Sequence, residues 1–230
     1  ELTPLYTVPQ AEGGHDLQHV LRMERMYDEI TTNVQGTVLV PDVDREEYAI
    51  AVWLHNIDRA PAKRDEIEAE GLPAVLHSYL DLLDPVVATR IIDAIVQHSK
   101  WKDDPKDSPL LQALRLADKW DRIGVLGAAS ALAWKGCVLP SYNLDKPFGY
   151  GSTVEGAWKT HYENFYRILE WYADFPLIRK LVSRHPRRFH NFLFFIRAWA
   201  YEVSDAHGVR NTVEDDIKKC LGDYYSQWLP

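Results

Sequence analysis

Residues 48–56 read Tyr48-Ala49-Ile50-Ala51-Val52-Trp53-Leu54-His55-Asn56, an apolar run that ends on two polar groups. Asp42 or Asp44 can cap a helix ahead of it, and Glu46 and Glu47 fall in a first turn where negative charge suits the helix dipole. A helix that is apolar nearly all round is central rather than peripheral. This one is expected in the middle of a core, with His55 and Asn56 carried at its end. Polar groups placed there are costly to bury unless they are paired.

Working outward, the flanking segments are helical too. Upstream, Leu17, Val20, Leu21, Met26, Tyr27 and Ile30 recur at spacings of about three and four, as one buried helical face would. A linker follows through Gly36 and Pro41, and Gly36 to Val40 holds the one alternating, strand-like stretch. Downstream, Arg64 to Leu83 reads as one or two helices with a break at Gly71-Leu72-Pro73. Pro85 suits the first turn of the next helix, whose face is Val86, Ile91, Ile92, Ile95 and Val96. Ser108-Pro109 opens another, with Leu111, Leu114, Ala117 and Trp120 inward, and the small residues of Gly124 to Trp134 allow close packing.

Residues 135–154 break the pattern with Pro140, Pro147, Gly149 and Gly151, and a loop of that length is a candidate lid or pocket wall. Helices resume over 155–174 and 186–207. The expected fold is all-α. The expected organisation is an irregular arm at 1–14 and a single domain over 15–230, with a core at 15–134 and a C-terminal helical extension at 155–230 packed on it.

A chain of 230 residues can bury a full core without disulfides. Its 34 acidic against 26 basic residues give a net charge of -8, the wrong sign for affinity built on phosphate contacts to a nucleic-acid polymer. Apolar runs such as Ala49 to Leu54 and Ala128 to Trp134 fall far short of the roughly 18 residues of a membrane span. No signal-peptide pattern opens the sequence. With only Cys137 and Cys220 and no Asn-x-Ser/Thr acceptor, the expected location is the reducing cytoplasm.

Common catalytic motifs are missing: there is no His-Glu-x-x-His, Cys-x-x-Cys, Gly-x-Ser-x-Gly or Gly-x-x-x-x-Gly-Lys. Gly149-Tyr150-Gly151 lacks the preceding strand that a phosphate-cradling turn needs. What remains is His and Asp on successive helices: His19, the pair His55-Asn56, His98, and Asp118 within Leu116-Ala117-Asp118-Lys119-Trp120-Asp121. Imidazole and carboxylate suit borderline divalent metals. Taken singly, each reads more readily as a hydrogen-bonded core residue than as a ligand.

Four of these segments, in order, resemble HD-domain metal-dependent phosphohydrolases. His15-Asp16-Leu17-Gln18-His19-Val20-Leu21-Arg22 resembles that superfamily's first helix, and Trp53-Leu54-His55-Asn56-Ile57 its His-Asp block. Ile95-Val96-Gln97-His98-Ser99 is similar to its Ile-x-x-His-Ser element, and Ala117-Asp118-Lys119-Trp120-Asp121 to its Ala-Asp-x-x-Asp helix. The resemblance covers about half the chain, His15 to Ser130. It implies an HD-like helical bundle around a divalent transition metal (manganese, iron, nickel, cobalt or zinc) held by His19, His55, Asn56 and Asp118. In some members two further histidines hold a second metal, a role for which His77 and His98 are suitably spaced; His77 is equally an exposed helical residue.

The resemblance further implies hydrolysis of a small nucleotide or phosphate ester. Asp58 and His98 are then the candidates for general acid or base, and Arg22, Arg59, Lys100 and Lys119 for contacts to phosphate. The departure is Asn56, where the family has Asp. Loss of one charge at ligand distance weakens metal affinity by on the order of several kcal/mol before screening, which disfavours a bridged two-metal centre. Three readings stay open: one weakly held metal, a degenerate fold that binds a ligand or partner without turnover, or a substitution introduced to trap a substrate complex. In the second half, the basic cluster Arg179-Lys180, Arg184-His185 and Arg187-Arg188 reads as a solvated helix junction or an anion or subunit dock. Phe189, Phe192, Phe194, Phe195 and Trp199 read as packing or a homodimer contact.

Overall fold

Three aspartates set where the first helices begin. Asp16 accepts from His19 N at 3.1 Å, Asp44 from Glu47 N at 3.0 Å and Asp84 from Val86 N at 2.9 Å. Each satisfies a backbone donor that the first helical turn leaves open. The structure is a computed structural model describing residues 6, 15–33, 36–99, 104, 106–135, 160–207 and 213–229. The protein is all-α, and its chain divides into two compact units, Glu1–Asp121 and Arg122–Pro230. The loop expected at 135–154 lies outside the described residues apart from Lys135.

The first unit holds α1 (Leu17–Glu24), α2 (Tyr27–Thr31), α3 (Arg45–Leu54), α4 (Arg64–Glu70), α5 (Leu72–Tyr79), α6 (Pro85–Gln97) and α7 (Pro109–Asp121). As its sequence requires, α3 is central: it packs against α1, α6 and α7 and buries Tyr48, Ala51, Val52 and Leu54. Gly71 adopts φ 85, a conformation that favours glycine, and so separates α4 from α5. Of the N-terminal arm only Tyr6 is described; it is buried, and its hydroxyl donates to Trp53 O at the end of α3.

Two expectations fail here. Gly36 to Val40 forms no strand: Leu39 N and Val40 N both donate to Ile30 O, so the segment closes onto the end of α2 with a lone bridge at Thr37. Val86 and Val96, assigned to the inner face of α6, are exposed, while Ala88 and Ala94 are buried beside Ile91, Ile92 and Ile95. The small residues mark where α6 comes close to its neighbours. Buried Arg115 on α7 donates to Asp107 (2.7 Å) and to Gln97 O (3.3 Å), tying down the end of α6 and thereby the start of His98.

The second unit holds α8 (Val125–Lys135), α9 (His161–Asp174), α10 (Pro176–Arg184), α11 (Pro186–His207) and α12 (Val213–Leu221), then a 3-10 segment over Gly222–Trp228. Helix α9 packs against α8, α10 and α12. Phe165 meets Phe192, Phe195 and Trp199 edge-on, and Tyr172 stacks on Phe189 at 4.6 Å, so most of the aromatic cluster is internal; Phe194 is exposed. Two members of the basic cluster are committed to the backbone. Arg179 donates to the carbonyls of Tyr172 and Ala173, and Arg188 to that of Ile123.

Gly127 shows how tightly α8 is set. A Cβ there would lie 1.9 Å from the carbonyl oxygen of Arg122, a backbone atom that cannot swing aside. Gly127→Ala is expected to cost about 3 kcal/mol, read as a lower urea midpoint. An unchanged midpoint would mean that the close approach is not there in solution.

Candidate metal centre

Each helix brings one donor to a common point. His19 is on α1, His55 and Asn56 follow the last turn of α3, and Asp118 is in α7; all four are buried. His19 Nε2 lies 3.2 Å from His55 Nε2 and 3.6 Å from Asp118 Oδ1, and ligand atoms of these three residues are all within 4.8 Å of one another.

The far side of each ring decides what the near side offers. His55 Nδ1 is 2.7 Å from Val52 O, which can only accept, so Nδ1 carries the proton and Nε2 a lone pair. His19 Nδ1 is 2.8 Å from Asp121 Oδ2. Burial pushes the Asp121 carboxyl up, but hydrogen bonds from His19 and Arg22 outweigh it and hold it at about 2, so it is ionised and accepts. That contact places a proton on His19 Nδ1. Burial keeps His55 uncharged, its pKa far below 6.5, with His19 and His98 opposing a proton further.

The His55 Nε2 lone pair faces His19 Nε2 at 3.2 Å with the Asp118 carboxylate beside them, an arrangement that either a proton or a metal ion would satisfy. Two nitrogens each about 2.0–2.1 Å from one tetrahedral ion are themselves about 3.3 Å apart. The donor set thus fits a divalent transition metal in both chemistry and spacing. Asn56 is the discordant member. Its Nδ2 donates to His55 Nε2 at 2.7 Å, the orientation an amide must take against a lone pair, and so occupies the electron pair a metal would use.

The remaining predicted residues divide sharply. His98 stands against His55, ring centroids 5.3 Å apart, with Nδ1 donating to Ile95 O at 2.6 Å. His77 is exposed on α5 and is not in the cluster. Asp58 is half-buried and pairs with exposed Arg59 at 3.4 Å, so each has a local partner. Lys119 is buried, only 4% exposed, and Lys100 lies outside the described residues. Arg22, expected to grip a phosphate, instead forks onto Asp121 through Nε (2.7 Å) and Nη2 (2.9 Å).

No protein-family model and no curated protein matches the chain. Solved structures share its fold, among them two at 20–21% identity. A Lactobacillus plantarum protein from structural genomics superposes with TM-score 0.62 at 21% identity, covering 89% of this chain and 93% of that one. Bacillus subtilis YpgQ, solved in complex with ADP, gives TM-score 0.51 at 20% identity, covering 88% and 97%.

Asp121 is the site residue that spacing alone did not assign. Its signal was its place one turn beyond Asp118, on the same face of α7. An open groove of about 610 Å³ also runs along α6 past Thr89, Asp93, Gln97 and Lys106, but none of the converging donors lines it. Among the described residues, no helix is long and apolar enough to cross a membrane.

Proposed function

We propose that the protein is a metal-dependent phosphohydrolase of HD type, acting in the cytoplasm on a small nucleotide or phosphate ester. The observation that carries this reading is the convergence of His19 Nε2, His55 Nε2 and the Asp118 carboxylate, with both second nitrogens committed as donors. A divalent ion held there would polarise a phosphoryl oxygen and make a bound water more acidic. The chain supplies the rest. The uncharged His55 ring and the Asp118 carboxylate face the site, and His98, with its Nδ1 tied to Ile95 O, has Nε2 left to take or give a proton nearby. Asp58, occupied by Arg59, is the weaker candidate for that work. The ADP bound to YpgQ, a protein of the same fold, supports a phosphate-containing ligand.

A second reading, an HD-type fold that binds without turnover, is favoured by one observation: the Asn56 amide on His55 Nε2. Both readings meet the same experiment. The purified chain is incubated with manganese, iron, nickel, cobalt or zinc, desalted, analysed for metal and assayed against a panel of nucleotides and phosphate esters. Retained metal with phosphate release is the expected result. Metal without turnover of any panel member moves the protein to the binding reading, and retention of none of the five metals sinks the metal reading altogether.

A further inference from the structure

We propose that Asp121 is a positioning residue: it holds His19 in the Nδ1–H tautomer, and the Arg22 fork holds Asp121 in place. This deepens the reading of His19 as a metal ligand and rests on it. Oδ2 of Asp121 receives both His19 Nδ1 (2.8 Å) and Arg22 Nη2 (2.9 Å), while Oδ1 receives Arg22 Nε (2.7 Å). Both acceptor atoms are thus used, and the carboxylate has a fixed plane. Arg22 lies one turn beyond His19 on α1, and Asp121 one turn beyond Asp118 on α7. The two helices therefore form two tiers, with His19 and Asp118 facing the site and Arg22 and Asp121 behind them.

A plain ion pair between α1 and α7 would not need the imidazole. Here the imidazole shares an oxygen with the guanidinium, so any rotation of the Asp121 carboxylate also turns the His19 ring. Without that acceptor, His19 is free to carry its proton on Nε2, which cannot then donate an electron pair to a metal.

The test has two readouts. In the native chain, long-range ¹⁵N–¹H spectra of the metal-free protein are expected to show His19 protonated on Nδ1, with His19→Gln used for assignment. Asp121→Asn keeps the shape but loses an acceptor. It is expected to lower affinity for zinc or manganese about 10–100-fold by chelator competition and to mix the His19 tautomers. Arg22→Lys keeps the charge without the fork and is expected to lose several-fold. A native His19 protonated on Nε2 overturns the proposal, as does a folded Asp121→Asn chain that binds metal as the native one does. If Asp121→Asn does not fold, the native spectrum and Arg22→Lys decide. If the native chain takes up no metal, the proposed function falls, and the tautomer spectrum still decides the part played by Asp121.

Discussion

His55→Ala is expected to abolish metal-dependent stabilisation. In the native chain, metal at a hundred times its dissociation constant adds about 2.7 kcal/mol, a rise in Tm of about 5–10 °C for a chain of this length. Removing one of the ligands costs about 3 kcal/mol if a structural zinc site's binding energy is shared among four ligands, or two to three orders of magnitude in affinity. The variant should therefore show no rise at the same metal concentration. Its metal-free form is also expected to lose stability, because Val52 O and the Asn56 amide lose their partner, so each protein is compared with and without metal. A variant that gains as much Tm from metal as the native chain would exclude His55 as a ligand.

The same substitution has a pH signature. Folded His55 stays neutral, whereas an unfolded histidine takes up a proton below about 6.5. The unfolded chain then binds more protons, so the native state loses stability as pH falls through that value. Above it the contribution is intact. His55→Ala lacks this loss, and its acid-side stability curve is expected to be flatter between pH 6.5 and 5. An identical acid limb in the two proteins would contradict a buried, uncharged His55.

Much of the first unit was legible because its signals are local. Asp16, Asp44 and Asp84 act within three residues of themselves, Pro85 and Pro109 start helices that their sequences announce, and the apolar circumference of α3 needs no partner to be recognised. His19, His55 and Asp118 stand out as polar residues on otherwise buried helical faces, and the family resemblance is what implies a metal among them. Spacing was poorer at deciding what opposes each face. Arg22 and Asp121 are 99 residues apart, so nothing near Arg22 in the chain reveals that its fork is taken. Lys119 is a phosphate-contact candidate in the sequence, and only the near-total burial of α7 shows it enclosed. The expectations also omitted α10 and α12. The second carried its own signal, acidic residues Glu214, Asp215 and Asp216 in the first turn and Lys218 and Lys219 in the last.

Asn56→Asp is expected to move the metal-free and metal-bound forms in opposite directions. The amide now donates to His55 Nε2 at 2.7 Å and satisfies that lone pair. A carboxylate cannot donate. It would place negative charge against that lone pair and near Asp118, and the metal-free protein should lose about 1–3 kcal/mol. Toward a divalent ion the sign reverses. An added unit charge at ligand distance, at an effective dielectric constant of about 20, is worth on the order of 3 kcal/mol or more, about two orders of magnitude in affinity. Melting with and without metal, together with chelator competition, reads both effects. The hydrolysis panel then separates the two functional readings. Phosphate release that appears or rises in Asn56→Asp identifies the missing carboxylate as what limits turnover, whereas tighter metal binding with no release supports the binding reading. Unchanged metal affinity in a folded variant would place position 56 outside the metal site, because a charge change of one unit among the converging donors cannot go unfelt.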